Sequence, residues 1–257
     1  MGKSNDKKQY WFVIRELTSR EIKRKYSRSK LGIIWSVLNP ILFMIVISLV
    51  FSKMFSRSIE NFPIYYLCGN IIWSFYTGAT NSSMGALVDN KNMLIKVKLP
   101  MEVFIFSRVY TAFVNFLYSL IAFAVMLIFF RIQVTWTYLF FPVIVLCAVV
   151  FSLGVSYVLA TAYVFFGDIK HLYSVFLTLL MYLSALFYPV SSLPDVLQEV
   201  ISFNPVFIFV DGVRDVIMYN TLPDGISLIK MFGYSIIMYL IGLLVFKKNK
   251  NKIMQKL

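Results

Sequence analysis

Five cations stand within eight residues near the start of the sequence: Lys23, Arg24, Lys25, Arg28 and Lys30. What such a cluster offers is anion binding. Leu31 and Gly32 then open a run without a charge that lasts until Lys53. A cationic collar set directly on an apolar run pins a chain at the inner face of a membrane. The cations stay with anionic headgroups while the apolar residues enter the hydrocarbon.

Catalytic chemistry is scarce. There is one histidine, His171. No paired histidines, no Cys-x-x-Cys, no Gly-x-Ser-x-Gly and no phosphate-cradling Gly-x-x-x-x-Gly-Lys-Ser/Thr occur, so neither a metal site nor ATP binding is expected in this chain. Cys68 and Cys147 both sit in apolar runs, which gives disulfide, metal and thiol roles little support. Asp168, Asp211 and Asp215 are the carboxylates a membrane enzyme would draw on. Each in isolation reads rather as an interfacial charge or a helix cap. The apolar runs show no obvious mid-membrane charge of the kind an ion-coupled carrier uses as a relay. If the chain moves something, a partner supplies the energy.

A second stretch with a binding character is Asp89 to Pro100. It is short, basic and amphipathic, with Asn92, Met93, Leu94, Ile95, Lys96 and Lys98 in its middle. Three apolar residues on the cytoplasmic side need a cover. A docking knob for a soluble protein explains them, and so does burial against the membrane surface.

The elements that must position these residues follow from composition. Of 257 residues, 59% are hydrophobic and 14% charged, where a soluble domain carries about 25% charged residues. Mean hydropathy is +0.75. Several apolar runs reach about 20 residues, the length of a membrane-crossing helix, and they lack the alternation of a barrel strand. The expected fold is an all-α polytopic membrane protein. Six transmembrane helices are predicted, at 32–51, 62–86, 103–130, 136–166, 172–188 and 229–246. The net charge of +13 does not point to nucleic acid: 10 of the 25 Lys and Arg precede Leu31 and five follow Phe246, beside the spans. By the positive-inside rule both termini are cytoplasmic, as are the 87–102 connection and the 247–257 tail. The outer segments hold few cations: Lys53, Arg57, Arg131, Arg214 and Lys230. About 30 polar and mixed residues precede the first apolar run, so no signal peptide is expected.

Two regions are neither span nor simple loop. In residues 1–31, Tyr10, Val13, Ile14 and Leu17 share one face, which predicts an amphipathic helix in the membrane interface. Thr18-Ser19-Arg20-Glu21 fits a capping box, so a second helix is expected to start there, the alternative being one continuous helix. In residues 189–228, two apolar pieces are each too short to span. They predict an outer re-entrant helix pair between spans five and six, the alternative being an amphipathic segment flat on the outer surface.

With these pieces in order, the sequence resembles the type-2 ABC exporter permeases that move lipid-linked polysaccharides such as O-antigen, capsule, wall polysaccharide and teichoic acid. The resemblance runs along nearly the whole chain. It is carried by Leu17 to Tyr26, Ser29 to Trp35, Leu38-Asn39-Pro40, Asn92 to Pro100, Phe165 to His171, Phe187-Tyr188-Pro189-Val190, Asn204-Pro205 and Arg214-Asp215. Gly167 stands where the family pattern has Arg.

The resemblance implies a homodimer working with two copies of a separate ABC ATPase subunit, which would hold the ATP and Mg; this chain itself would carry no cofactor. The substrate would be an undecaprenyl-diphosphate-linked glycan, taken from the cytoplasmic side of the bacterial plasma membrane. Lys25, Tyr26, Arg28, Ser29, Lys30, Leu31 and Gly32 would receive the diphosphate. Asn92, Met93, Leu94, Ile95, Lys96 and Lys98 would couple to the ATPase. A channel between protomers would be lined by the first and fifth spans, with Trp35, Phe43, Phe176, Tyr182, Phe187 and Tyr188 as its aromatic candidates. Rival functions are export of a drug or small lipid, a membrane enzyme acting on a lipid-linked sugar, and an anchoring subunit.

Overall fold

The computed structural model describes residues 2–27, 29–55, 59–96 and 99–257, and the side chains from residue 9 onward within them. Arg28, Arg57 and Lys98 lie outside the described residues. Among those described the chain is helical, with no strand.

Helix α1 runs Gly2–Tyr26, followed by α2, Ile34–Phe51, and α3, Phe62–Met84. Two short helices, α4 (Ala86–Asp89) and α5 (Lys91–Lys96), lead to α6, Glu102–Phe129. A tight turn at Trp136–Phe140 continues into α7, Phe141–Phe165. Then come α8, Ile169–Leu183, the bent pair α9 (Asp195–Ser202) and α10 (Pro205–Arg214), and α11, Gly225–Lys256. Among the described residues, four helices are long and apolar enough to cross a membrane: Ile34–Phe51, Glu102–Phe129, Trp136–Phe165 and Gly225–Lys256. The pair Asp195–Ser202 and Pro205–Tyr219 passes the same test as one broken span, bent by 94°.

Local chemistry sets these boundaries. Asn61 accepts from the Ile64 N–H and Pro63 follows it, which starts α3. Asn204 accepts from the Val206 N–H at 3.0 Å ahead of Pro205, and that cap makes the corner between α9 and α10. Asp224 accepts from the Ser227 N–H and opens α11.

Helix α3 is the hub. Ile64, Leu67, Cys68, Ala79 and Thr80 are fully buried, and α2, α6, α7 and α10 pack around it. Its hydroxyls turn back on its own carbonyls, as at Thr80 to Tyr76 (2.8 Å) and Ser83 to Ala79 (2.7 Å). Those residues dilute its hydropathy, yet they leave no polar group unsatisfied and let neighbours approach closely. Helices α7 and α11 meet at two glycines: a methyl group on Gly154 or Gly242 would strike the backbone of the facing helix.

Three expectations from sequence need correction. Helix α1 does not break at Thr18. The Thr18 hydroxyl is buried and donates to the Ser107 carbonyl of α6, and Glu21 pairs with Arg108, so both capping-box side chains have tertiary partners. Helix α8 stops at Leu183, short of Tyr188, because Ala185 takes a left-handed φ of +47°. Residues 247–256 are no separate tail but the last turns of α11, where Ile253 is fully buried and Lys250 pairs with Glu102 at 3.0 Å.

Candidate functional site

The C-terminal end of α1, the α2 start, the α3 end, α4, α5 and the α6 start gather at one pole, the basic end. Helix α1 lies along α6, held by Thr18 to Ser107, by Glu21 to Arg108 at 2.6 Å, and by an edge contact of Trp11 on Tyr110 at 5.4 Å. The Arg108 guanidinium also reaches Asp89 at the end of α4, at 3.2 Å. Arg20 donates to the Asn90 side chain at 2.7 Å. The collar helix and the 86–96 segment are therefore tied together through side chains on both.

The collar turns into α2 through a tight loop. The Gly32 N–H donates to Ser29 Oγ at 3.0 Å, and Gly32 takes φ +52°, a conformation that favours glycine. A Cβ built at Gly32 would meet nothing within 4 Å, so its backbone angle and not crowding explains the residue. Leu31 and Ile33 are exposed on either side of it. Lys25, which lies 5.2 Å from the Tyr26 ring, and Lys30 point to the surface. Tyr26 turns inward, bonding Ser36 of α2 and donating to Asn115 of α6.

Beneath the collar is a cavity of about 620 Å³ with a mixed polar and apolar lining, between α1, α2, α3 and α6. Arg24, Lys25 and Arg108 meet it with Glu21 as the one opposing carboxylate. Its lining carries small hydroxyls and amides, among them Ser36, Ser74, Thr111 and Asn115, and apolar surface from Ile71, Phe75 and Phe116. Trp35 lines it too. This is an arrangement for binding a polyhydroxylated anion: charge-assisted bonds at the basic wall, neutral donors and acceptors along the rest.

Sequence reasoning missed Arg108, Thr111, Asn115 and Ser119. The signal was present. Arg108 is the one charge in the 103–130 run, and the four polar residues recur at helical spacing on one face of α6.

The other predicted residues fall as follows. In α5, Ile95 is 61% exposed, but Leu94 is only 5% exposed and belongs to the core, with Met93 half-buried against it. Asn92 and Lys96 are exposed. Leu94 therefore cannot be part of a free docking knob. Trp35, Phe43, Phe176 and Tyr182 are exposed, on α2 and α8. Phe187 and Tyr188 are not on the free face of α8. Phe187 stacks on Phe51 and Tyr66, and Tyr188 bonds the Tyr182 carbonyl while its own carbonyl accepts from Tyr65 at 2.7 Å. Arg214, expected among the outer cations, is 1% exposed.

A family model described as "ABC-2 type transporter" matches residues 13–218. The O-antigen export system permease protein RfbA of Myxococcus xanthus is 29% identical over 246 residues, covering 95% of each chain. The RfbA protein of Klebsiella pneumoniae is 27% identical over 236 residues, 91% of this chain and 90% of its own. The polysialic acid transport protein KpsM of Escherichia coli is 20% identical over 247 residues, 91% of this chain and 92% of its own.

Proposed function

The chain belongs to the ABC-2 type transporter family, and from that premise we propose that it is the permease subunit of an exporter for a lipid-linked polysaccharide. The observation that carries this reading is the alignment with relatives named as O-antigen export permeases along at least nine tenths of both chains. The substrate is an O-antigen or a cell-wall or capsular glycan on undecaprenyl diphosphate. It is collected at the cytoplasmic face of the bacterial plasma membrane, with both termini on that side, six spans, α1 in the interface and α9–α10 re-entering from outside. A separate ATPase chain hydrolyses ATP with Mg.

Two physical features support this reading. Lys25 and Lys30 are exposed on the collar, whose sequence also carries Arg28, and a charge-assisted bond from such a cation to the diphosphate would be worth about 1.5–3 kcal/mol. Helices α2 and α8 leave wide apolar faces uncovered within one chain, including Leu42, Phe43, Val46, Leu49, Val175 and Leu179. A second copy that brings α2 and α8 together across a two-fold axis encloses a path lined by Trp35, Phe43, Phe176 and Tyr182. Two ATPase copies then dock at the basic end, against α5.

Deleting the gene tests the proposal. Surface glycan should be lost while its lipid-linked precursor accumulates inside, and a plasmid copy should restore export. Normal surface glycan in the deletion strain, with no precursor build-up, contradicts it.

A further inference from the structure

We infer that the cavity between α1, α2, α3 and α6 is a headgroup site that takes the sugar phosphate at the lipid end of the substrate, with Arg108 as its anchor. This rests on the export reading above and adds to it a binding site inside each protomer, which shares Arg24 and Lys25 with the collar and extends from them to Arg108.

The chemistry of the lining selects the ligand. At about 620 Å³ the cavity falls in the range of small-molecule sites, about 300–1,000 Å³. Three cations against one carboxylate favour an anion. The hydroxyls and amides along the walls suit sugar hydroxyls, and Trp35, 40% exposed at the rim, offers an aromatic face. From Arg108 to Ser119 the lining residues of α6 extend about 16 Å at helical rise. The cavity is therefore deep enough for more than a bare phosphate.

Arg108 is poised rather than locked. Its side chain is 12% exposed and is bound on one side by Glu21 at 2.6 Å. On the other side it meets Asp89 at 3.2 Å, and the Asp89 side chain is 53% exposed. Exposed ion pairs contribute little. An incoming phosphate can replace Asp89 on that edge of the guanidinium, whose planar fork takes two oxygens at once. Glu21 keeps the group aimed into the cavity meanwhile. Because Asp89 ends α4, just ahead of α5, the exchange also frees one tie on the segment that meets the ATPase.

The test uses the full chain assembled with its ATPase in phosphatidylcholine nanodiscs. Ser82→Cys places a thiol in the cavity wall, and its labelling by an aqueous maleimide is timed. N-acetylglucosamine 1-phosphate is expected to slow labelling saturably, while N-acetylglucosamine alone and inorganic phosphate alone do so far less. Adding Arg108→Gln should shift half-protection about tenfold upward, the equivalent of one lost charge-assisted bond. Ser74→Trp, which fills the cavity without touching the ion pairs, should abolish protection in a complex that still assembles.

Labelling unaffected by the sugar phosphate overturns the proposal, as does equal protection by inorganic phosphate. Protection by added phosphatidylglycerol without any sugar phosphate assigns the cavity to a membrane lipid and also overturns it. Binding is read here without transport. Failure of the cavity site therefore leaves the export reading to its own test.

Discussion

Arg214 lies with its guanidinium carbon 3.5 Å from the centre of the Tyr65 ring and donates to the Ala185 carbonyl at 2.9 Å, while the Tyr65 hydroxyl donates to the Tyr188 carbonyl at 2.7 Å. Three elements meet there: α3 through Tyr65, α10 through Arg214 and the α8 terminus through Ala185. The Ala185 backbone is held at a positive φ, which only such bracing sustains. Gly69 completes the contact, since a methyl group on it would come within 2.8 Å of Leu186 and 3.2 Å of Arg214.

Arg214→Met should therefore lower stability by about 1.5–3 kcal/mol, the worth of a bond from a charged donor to a buried acceptor. Thermal unfolding of the detergent-solubilised chain checks this. Arg214→Lys should restore little, because an ammonium cannot cover the ring and reach the carbonyl with the same planar fork. An unchanged unfolding temperature in Arg214→Met contradicts the bracing role.

The α5 helix separates two effects that look alike in sequence. Ile95→Asp should leave insertion and thermal stability intact and weaken ATPase binding, since Ile95 is exposed. Leu94→Asp should destabilise the chain itself, because it puts a carboxylate into the core at a cost of several kcal/mol. Co-purification of the ATPase with each variant, beside an unfolding curve, distinguishes them. Normal ATPase binding and coupled export in Ile95→Asp rules out α5 as the docking contact.

Gly32 gives a test of cause. If the positive φ alone requires glycine, Gly32→Ala and Gly32→Leu lose export to a similar degree, and Gly32→Asn retains most of it. A graded loss with side-chain size, Ala mild and Leu severe, would instead mean that something approaches the backbone at that point.

At the opposite pole, single cysteines test whether α9 and α10 re-enter the membrane. Phe207 and Ile208 are buried beneath the corner at Asn204, and Asn220 is exposed just beyond Tyr219. Cysteines at 207 and 208 should resist an aqueous thiol reagent added outside, while one at 220 reacts. Equal reaction at all three favours a segment lying flat on the surface.

How much was legible in the sequence depended on the range of the interaction. Long apolar runs are a local signal, so the helices at 34–51, 102–129 and 141–165 were found within a few residues. The bend at Asn204-Pro205 was legible for the same reason. What failed was decided by partners far along the chain. The capping box at Thr18 was a sound local motif, overridden by Ser107 and Arg108, some ninety residues away. Met93, Leu94 and Ile95 look alike as apolar neighbours, and only the turn of α5 against the core separates Ile95 from Leu94. The collar was visible as a charge cluster. The cavity beneath it was not, because its walls come from four helices and its anchor was one arginine in an apolar run.

The central claim is that this chain, with its ATPase, moves a lipid-linked glycan across a bilayer. The direct measurement is translocation in proteoliposomes holding the purified complex and a fluorescent undecaprenyl-diphosphate oligosaccharide. Appearance of the glycan in the opposite leaflet is read with a membrane-impermeant lectin or glycosidase. The account predicts translocation that needs ATP and Mg, stops with a catalytically dead ATPase, and falls sharply in Lys25→Gln/Lys30→Gln complexes that still assemble. Translocation at the same rate without ATP, or none at all from a complex that hydrolyses ATP normally, contradicts it.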